Sequence, residues 1–69
     1  MKKTTYAAVI KTVRNGAADV EFWGGWTDKE TAAEVLENLK AAYATFEITE
    51  ELVMTTEEAR ELAEAIWAA

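Results

Sequence analysis

Asn15-Gly16 constrains this chain more than any other pair of residues. Both residues tolerate positive φ, so together they favour the type I′ turn whose twist matches two flanking antiparallel strands. The flanks agree: Thr4 to Arg14 is rich in β-branched and aromatic residues, and an equally strand-like run follows from Ala17. Strands are therefore expected over about 4–14 and 17–23. A two-residue turn pairs Arg14 with Ala17, which sets Val13 opposite Ala18, Lys11 opposite Val20 and Val9 opposite Phe22 on one face. Tyr6, Ala8, Ile10, Thr12, Asp19, Glu21 and Trp23 make up the other face. Both are partly apolar, so one face is expected to meet helices and the other to be left open and sticky.

Gly24-Gly25 reads as the end of the second strand. Thr27-Asp28-Lys29-Glu30 then has the form of a capping box, with the Thr27 hydroxyl and the Glu30 carboxylate each satisfying an orphan amide. On that reading Thr27→Ala costs on the order of 1 kcal/mol. A helix over about 28–44 follows, its apolar residues Ala32, Leu36, Leu39 and Tyr43 stepping along one stripe with Val35 beside it. Phe46, Ile48, Leu52 and Met54 alternate with polar residues as a third strand does. Glu50 falls on the inward side of that register, so a bulge or turn is expected at Thr49-Glu50-Glu51. Thr55 or Thr56 caps a second helix, with Glu58 three residues after Thr55 and an apolar stripe of Ala59, Leu62, Ala63 and Ile66.

The resulting order is β-β-α-β-α. The expected fold class is α+β: a two-layer domain with a three-stranded, mainly antiparallel sheet and both helices packed on one face. With the third strand antiparallel beside the first, the sheet order is 2-1-3; a right-handed crossover to a parallel neighbour is the alternative. The 69 residues, taken as 1–69, allow a single domain close to the lower size at which a hydrophobic core suffices by itself.

The chain has no Cys and no His, which excludes disulfides, thiolate and imidazole metal ligands, Cys nucleophiles and His-dependent triads. The start Met1-Lys2-Lys3 with Tyr6 to Ile10 has a faint signal-peptide character, but Lys11 interrupts the apolar run far too early, and a cytoplasmic protein is expected. Charge is segregated. Residues 1–14 carry four bases and no acid, whereas residues 15–69 carry all 13 carboxylates against three bases, a net of −10 within a total of −6. Such a surface repels phosphates, so the expected partner is a protein with a basic surface rather than nucleic acid or membrane.

Candidate chemistry is sparse. The acid pairs Asp19/Glu21, Glu50/Glu51 and Glu57/Glu58 lack the signature of a buried, convergent site, so no catalytic residue is assigned and no enzyme is expected. No calcium-loop pattern is present, and Gly24-Gly25 lacks the spacing and the following Lys of a phosphate-cradling loop, so no metal or cofactor is expected. In Phe22-Trp23-Gly24-Gly25-Trp26, Phe22 and Trp26 are expected to close the core, with Trp23 as a protein-contact anchor.

The sharper signal is periodic. Glu30, Glu34 and Glu37 on the first helix, and Glu57, Glu61 and Glu64 on the second, recur every three or four residues and stack like charges along one side of each helix, with only Lys40 and Arg60 near enough to offset them. Rows of carboxylates on a rigid helix present negative charge at a spacing comparable to a nucleic-acid backbone. In these rows, in its size and in its lack of catalytic residues, the chain resembles small phage-encoded DNA-mimic inhibitors of the anti-restriction and anti-CRISPR type. The resemblance implies an inhibitor that occupies the basic nucleic-acid-binding surface of another protein, and it assigns no individual residue a role. The same rows also serve a small domain as solubilising surface. A structural alternative is an assembly protein, monomer or homodimer, associating through an open sheet face of Tyr6, Ile10, Asp19, Glu21 and Trp23. In that case Trp23→Ser converts an oligomer to a monomer.

Overall fold

A computed structural model describes residues 3–68. The elements are β1 (Tyr6–Arg14), β2 (Ala17–Trp26), α1 (Lys29–Ala42), β3 (Glu47–Thr55) and α2 (Thr56–Ala68). β1 lies between the other two strands and is antiparallel to both, which gives the order β2-β1-β3. Asn15 and Gly16 have φ of 53° and 78°, the left-handed pair of a type I′ turn. The hairpin register follows from it: Val13 is opposite Ala18, Lys11 opposite Val20 and Val9 opposite Phe22.

The helices do not share a face. α2 packs Ala59, Ala63, Leu62 and Ile66 against Ala7, Val9, Val20 and Phe22, with Leu52 and Met54 of β3. α1 packs Leu39, Val35, Leu36 and Tyr43 against Ala8, Ile10 and Ile48. Ala7/Val9 and Ala8/Ile10 alternate along one strand and so point to opposite faces. The expected two-layer arrangement is thus corrected to three layers, α1, sheet and α2, with β1 at the centre. Width explains this. Two inter-strand gaps make a three-stranded sheet roughly 10 Å across, about the 10–12 Å diameter of one helix with its side chains. A second helix on that face would hang over the edge, whereas on the far face it covers apolar residues. Accordingly Ala7, Ala8, Val9 and Ile10 are all fully buried.

Two irregularities adjust the sheet to its covers. At Gly24-Gly25 the second strand does not stop, as its glycines suggested; it continues through a bulge to Trp26, which pairs with Tyr6. Gly25 has φ of 92°, and a Cβ on Gly24 would lie 2.8 Å from Thr56 Cγ2, so each glycine answers a different demand. Thr56 fixes the bulge to the start of α2, its Oγ1 accepting from the Gly25 amide at 3.0 Å and from the Thr5 hydroxyl at 2.8 Å. In β3 the expected irregularity at Thr49-Glu50-Glu51 is a bulge: Lys11 is opposite Glu50 while Thr12 is opposite Ile48, leaving Thr49 extra. The slip sends Ile48 to the α1 face and Leu52 and Met54 to the α2 face, where a single register would have kept all three together. Glu50 then meets Lys11 at 2.9 Å, and Glu51 meets Lys40 of α1 at 3.3 Å.

The caps differ in how well the sequence announced them. α2 begins with a reciprocal box in which the Glu58 amide donates to Thr55 Oγ1 and the Thr55 amide donates to Glu58 Oε1, each at 3.1 Å. At α1 the cap is Asp28 rather than Thr27, with Asp28 Oδ1 accepting from the Thr31 amide at 2.7 Å. Thr27 is exposed, and Asp28 outcompetes it because a carboxylate binds an amide more strongly than a hydroxyl and also complements the positive helix start. Asp28→Ala is therefore expected to lower the urea midpoint and Thr27→Ala to leave it nearly unchanged. The pH dependence has a definite sign. Bonding to the backbone and side chain of Thr31 holds the Asp28 carboxyl below its ordinary pKa, and bonding to Thr55 does the same for Glu58. Their contributions are complete above the unfolded pKa and are lost as pH falls through the depressed folded values, so Asp28→Asn should flatten the acid limb of a stability profile measured by urea melts.

Candidate functional surfaces

Glu30, Glu34 and Glu37 are exposed along α1, and Glu57, Glu61 and Glu64 are exposed along α2. Each set follows the same i, i+4, i+7 spacing, so each forms one row on its own helix. Because the helices cover opposite faces of the sheet, the two rows lie on opposite sides of the molecule and do not converge on one surface.

The rows differ in how far neighbouring bases neutralise them. On α1, Lys40 bridges Glu37 at 3.4 Å and Glu51 at 3.3 Å, and these bonds, Glu51 first, raise its pKa. Lys29 sits 5.6 Å from the Tyr6 ring centroid in a cation–π contact. α1 thus holds two bases against three acids. α2 holds one base, Arg60, against four acids, a net of −3 compared with −1. The carboxylates of Glu30, Glu34, Glu61 and Glu64 make no ion pair or hydrogen bond among the described residues.

The open sheet face does not exist as expected. Ile10 is fully buried beneath α1, and Tyr6 is half-buried below Lys29. Glu21 lies beside Tyr43 at the C-cap of α1, where partial burial in first place and then the Glu21 charge raise the phenol's pKa. Asp19 is half-buried and engaged, its Oδ1 accepting from the Val20 amide at 2.8 Å and from Trp67 Nε1 at 3.0 Å. Of the five, Trp23 alone stays well exposed, at 40%. Phe22 joins the core as anticipated, whereas Trp26 is only half-buried and donates its indole N–H to the Trp23 carbonyl at 3.0 Å.

Trp67 is the surface residue that sequence reasoning missed. It is 59% exposed at the end of α2 and bonded to β2 through Asp19. The available signal was its position next to Ile66, one step off the apolar stripe, where a large aromatic residue has no core to enter.

A shallow cleft of about 450 Å³ lies between the N-terminal segment and the start of α2, lined by Lys3, Thr5, Thr56, Glu57 and Arg60 among others. Its lining mixes both charges; the Thr5 hydroxyl donates to Thr56 Oγ1 at 2.8 Å and the Thr55 hydroxyl to Glu58 Oε1 at 2.8 Å. Among the described residues, no three acidic side chains come together as a metal site, and no helix is long and apolar enough to cross a membrane. No family model, curated protein or solved structure matches the chain.

Proposed function

We propose that the protein is a non-enzymatic acidic binding module that docks on the basic, nucleic-acid-binding surface of another protein, its glutamate rows standing in for phosphates as in DNA-mimic inhibitors. One observation carries this reading: the carboxylates of Glu30, Glu34, Glu61 and Glu64 are exposed on rigid helices and have no neutralising partner among the described residues. A surface whose only task is solubility gains from paired, interspersed signs, and these four carboxylates are not paired.

α2 is the favoured docking helix. Its net charge is the more negative, and its row ends beside an exposed tryptophan of the kind that anchors protein interfaces. A flat basic surface takes one row at a time, because the other points away through the sheet.

Competition tests the reading. Basic proteins captured on the immobilised chain at low salt should be released by a short DNA duplex, since two polyanions exclude one another from one basic channel. Capture should also weaken as NaCl shortens the screening length from about 10 Å at 0.1 M towards about 3 Å at 1 M. A captured protein that holds the duplex and this chain together, without mutual weakening, overturns it.

A further inference from the structure

The sheet has two edges, β2 and β3, and the hairpin turn fixes which backbone groups face outward on each. A two-residue turn makes its flanking residues, Arg14 and Ala17, a hydrogen-bonded pair. Alternation along β1 then turns Arg14, Thr12, Ile10 and Ala8 to β2, and Val13, Lys11, Val9 and Ala7 to β3. Val9 is opposite Leu52 and Ala7 opposite Met54, so Leu52 and Met54 direct their backbone groups inward. Glu51, Val53 and Thr55 direct theirs to the open side. The Thr55 amide agrees with this assignment, since it donates to Glu58 Oε1 at 3.1 Å and not to β1.

The edges differ in what is left to pair. On β2 the amide of the fully buried Val20 is taken by the Asp19 carboxylate, which the Trp67 indole also holds, so that edge is closed at its centre. On β3 the bulge at Thr49 and the helix cap at Thr55 bound a short regular window that contains Glu51 and Val53. Among the described residues no further hydrogen bond reaches the backbone of either residue on its open side. Glu51 is exposed, and Leu52, Val53 and Met54 are only half-buried, so the rim is apolar and accessible. Its acids are already answered, Glu50 by Lys11 at 2.9 Å and Glu51 by Lys40 at 3.3 Å.

We propose that the β3 edge pairs with the β3 edge of a second copy of this chain, antiparallel and in register about Leu52. The Glu51 N–H donates to the Val53 carbonyl of the second copy and the Val53 N–H to its Glu51 carbonyl, and the symmetry axis repeats both bonds. A register about Val53 instead needs the Thr55 amide, which the helix cap holds. The register about Leu52 sets Leu52 against its own copy, Glu50 opposite Met54 and Glu51 opposite Val53, so no like charges stand directly opposite. An extended basic strand gains little here, because both acids of the window already have a base within their own chain. The symmetry axis stands perpendicular to the shared sheet, so its six strands, three from each copy, keep both α2 helices on one side. The second copy thereby completes the docking face, with Glu57, Glu61 and Glu64 of each copy on one surface. That consequence rests on the acidic-module reading; the pairing itself does not.

Each copy carries a net charge of −6, so self-association is opposed at long range and strengthens as salt screens the repulsion, the reverse of docking on a basic partner. Sedimentation equilibrium is expected to show a monomer–dimer equilibrium that shifts to dimer with protein concentration and on going from about 0.1 M to about 1 M NaCl. Hydrogen exchange of the Glu51 and Val53 amides should slow in step with it. Val53→Glu places a carboxylate opposite Glu51 of the second copy, twice about the axis, and should weaken the dimer by about tenfold, whereas Val53→Lys at the same site retains it. The exchange measurement on the unmodified protein stands even if either variant misfolds. A chain that stays monomeric up to millimolar concentration at high salt overturns the proposal, as does a dimer that leaves both amides unprotected, or equal dimerisation of the two Val53 variants. A monomer that still gives duplex-displaceable capture of basic proteins rejects the edge and leaves the acidic-module reading standing; a dimer that captures none does the reverse.

Discussion

An Ile10→Asp protein is expected to be unfolded in plain buffer, whereas Trp23→Ser folds. Ile10 is fully buried between β1 and α1, among Ala8, Leu39 and Ile48. Truncating a buried Ile to Ala costs about 2–5 kcal/mol. A domain below about 70–80 residues rarely has more than about 3–5 kcal/mol to lose. A carboxylate there adds desolvation with no base in the cluster to answer it. Trp23, on the same face but exposed at 40%, loses only peripheral contact. Far-UV circular dichroism and urea titration of the two variants separate the three-layer arrangement from an open sheet face. If Ile10→Asp keeps a wild-type midpoint, α1 does not cover that face.

Reversing the α2 row, Glu57, Glu61 and Glu64 to Lys together, is expected to abolish docking on a basic partner. The same reversal of Glu30, Glu34 and Glu37 on α1 should cost much less. Both rows lie off the apolar stripes, so the fold should persist in each case. Either triple changes the charge by equal amounts, so total charge cannot account for a difference between them; only the face presented to the partner can. Each reversal brings the net charge from −6 to zero, where association becomes a hazard, and the corresponding Gln triples serve as soluble controls. The measurement is affinity for a captured basic protein at two salt concentrations. Unchanged affinity and salt dependence in the α2 triple would assign its carboxylates to solvation alone. Loss confined to the α1 triple would move the docking face to the other side of the molecule.

What the sequence determined by itself was local. Asn15-Gly16 set the hairpin and its register, since only residues at ease with positive φ close a type I′ turn. Helical periodicity set the buried stripes of α1 and α2, and Thr55 with Glu58 set the start of α2. The misfit of Glu50 in an alternating strand marked the β3 irregularity, which is a bulge. The cap of α1 was legible only to within one residue, because Thr27 and Asp28 both have capping side chains and the choice depends on how the chain leaves β2. The glutamate rows were legible as rows but not as surfaces. Which side of the sheet each helix occupies is a tertiary choice, made because a three-stranded sheet is about as wide as one helix and because the unbroken apolar run Ala7 to Ile10 needs cover on both sides. That choice buried Ile10, separated the two acidic rows and brought Trp67 to the edge of β2, a contact between residues 48 positions apart that no local pattern encodes.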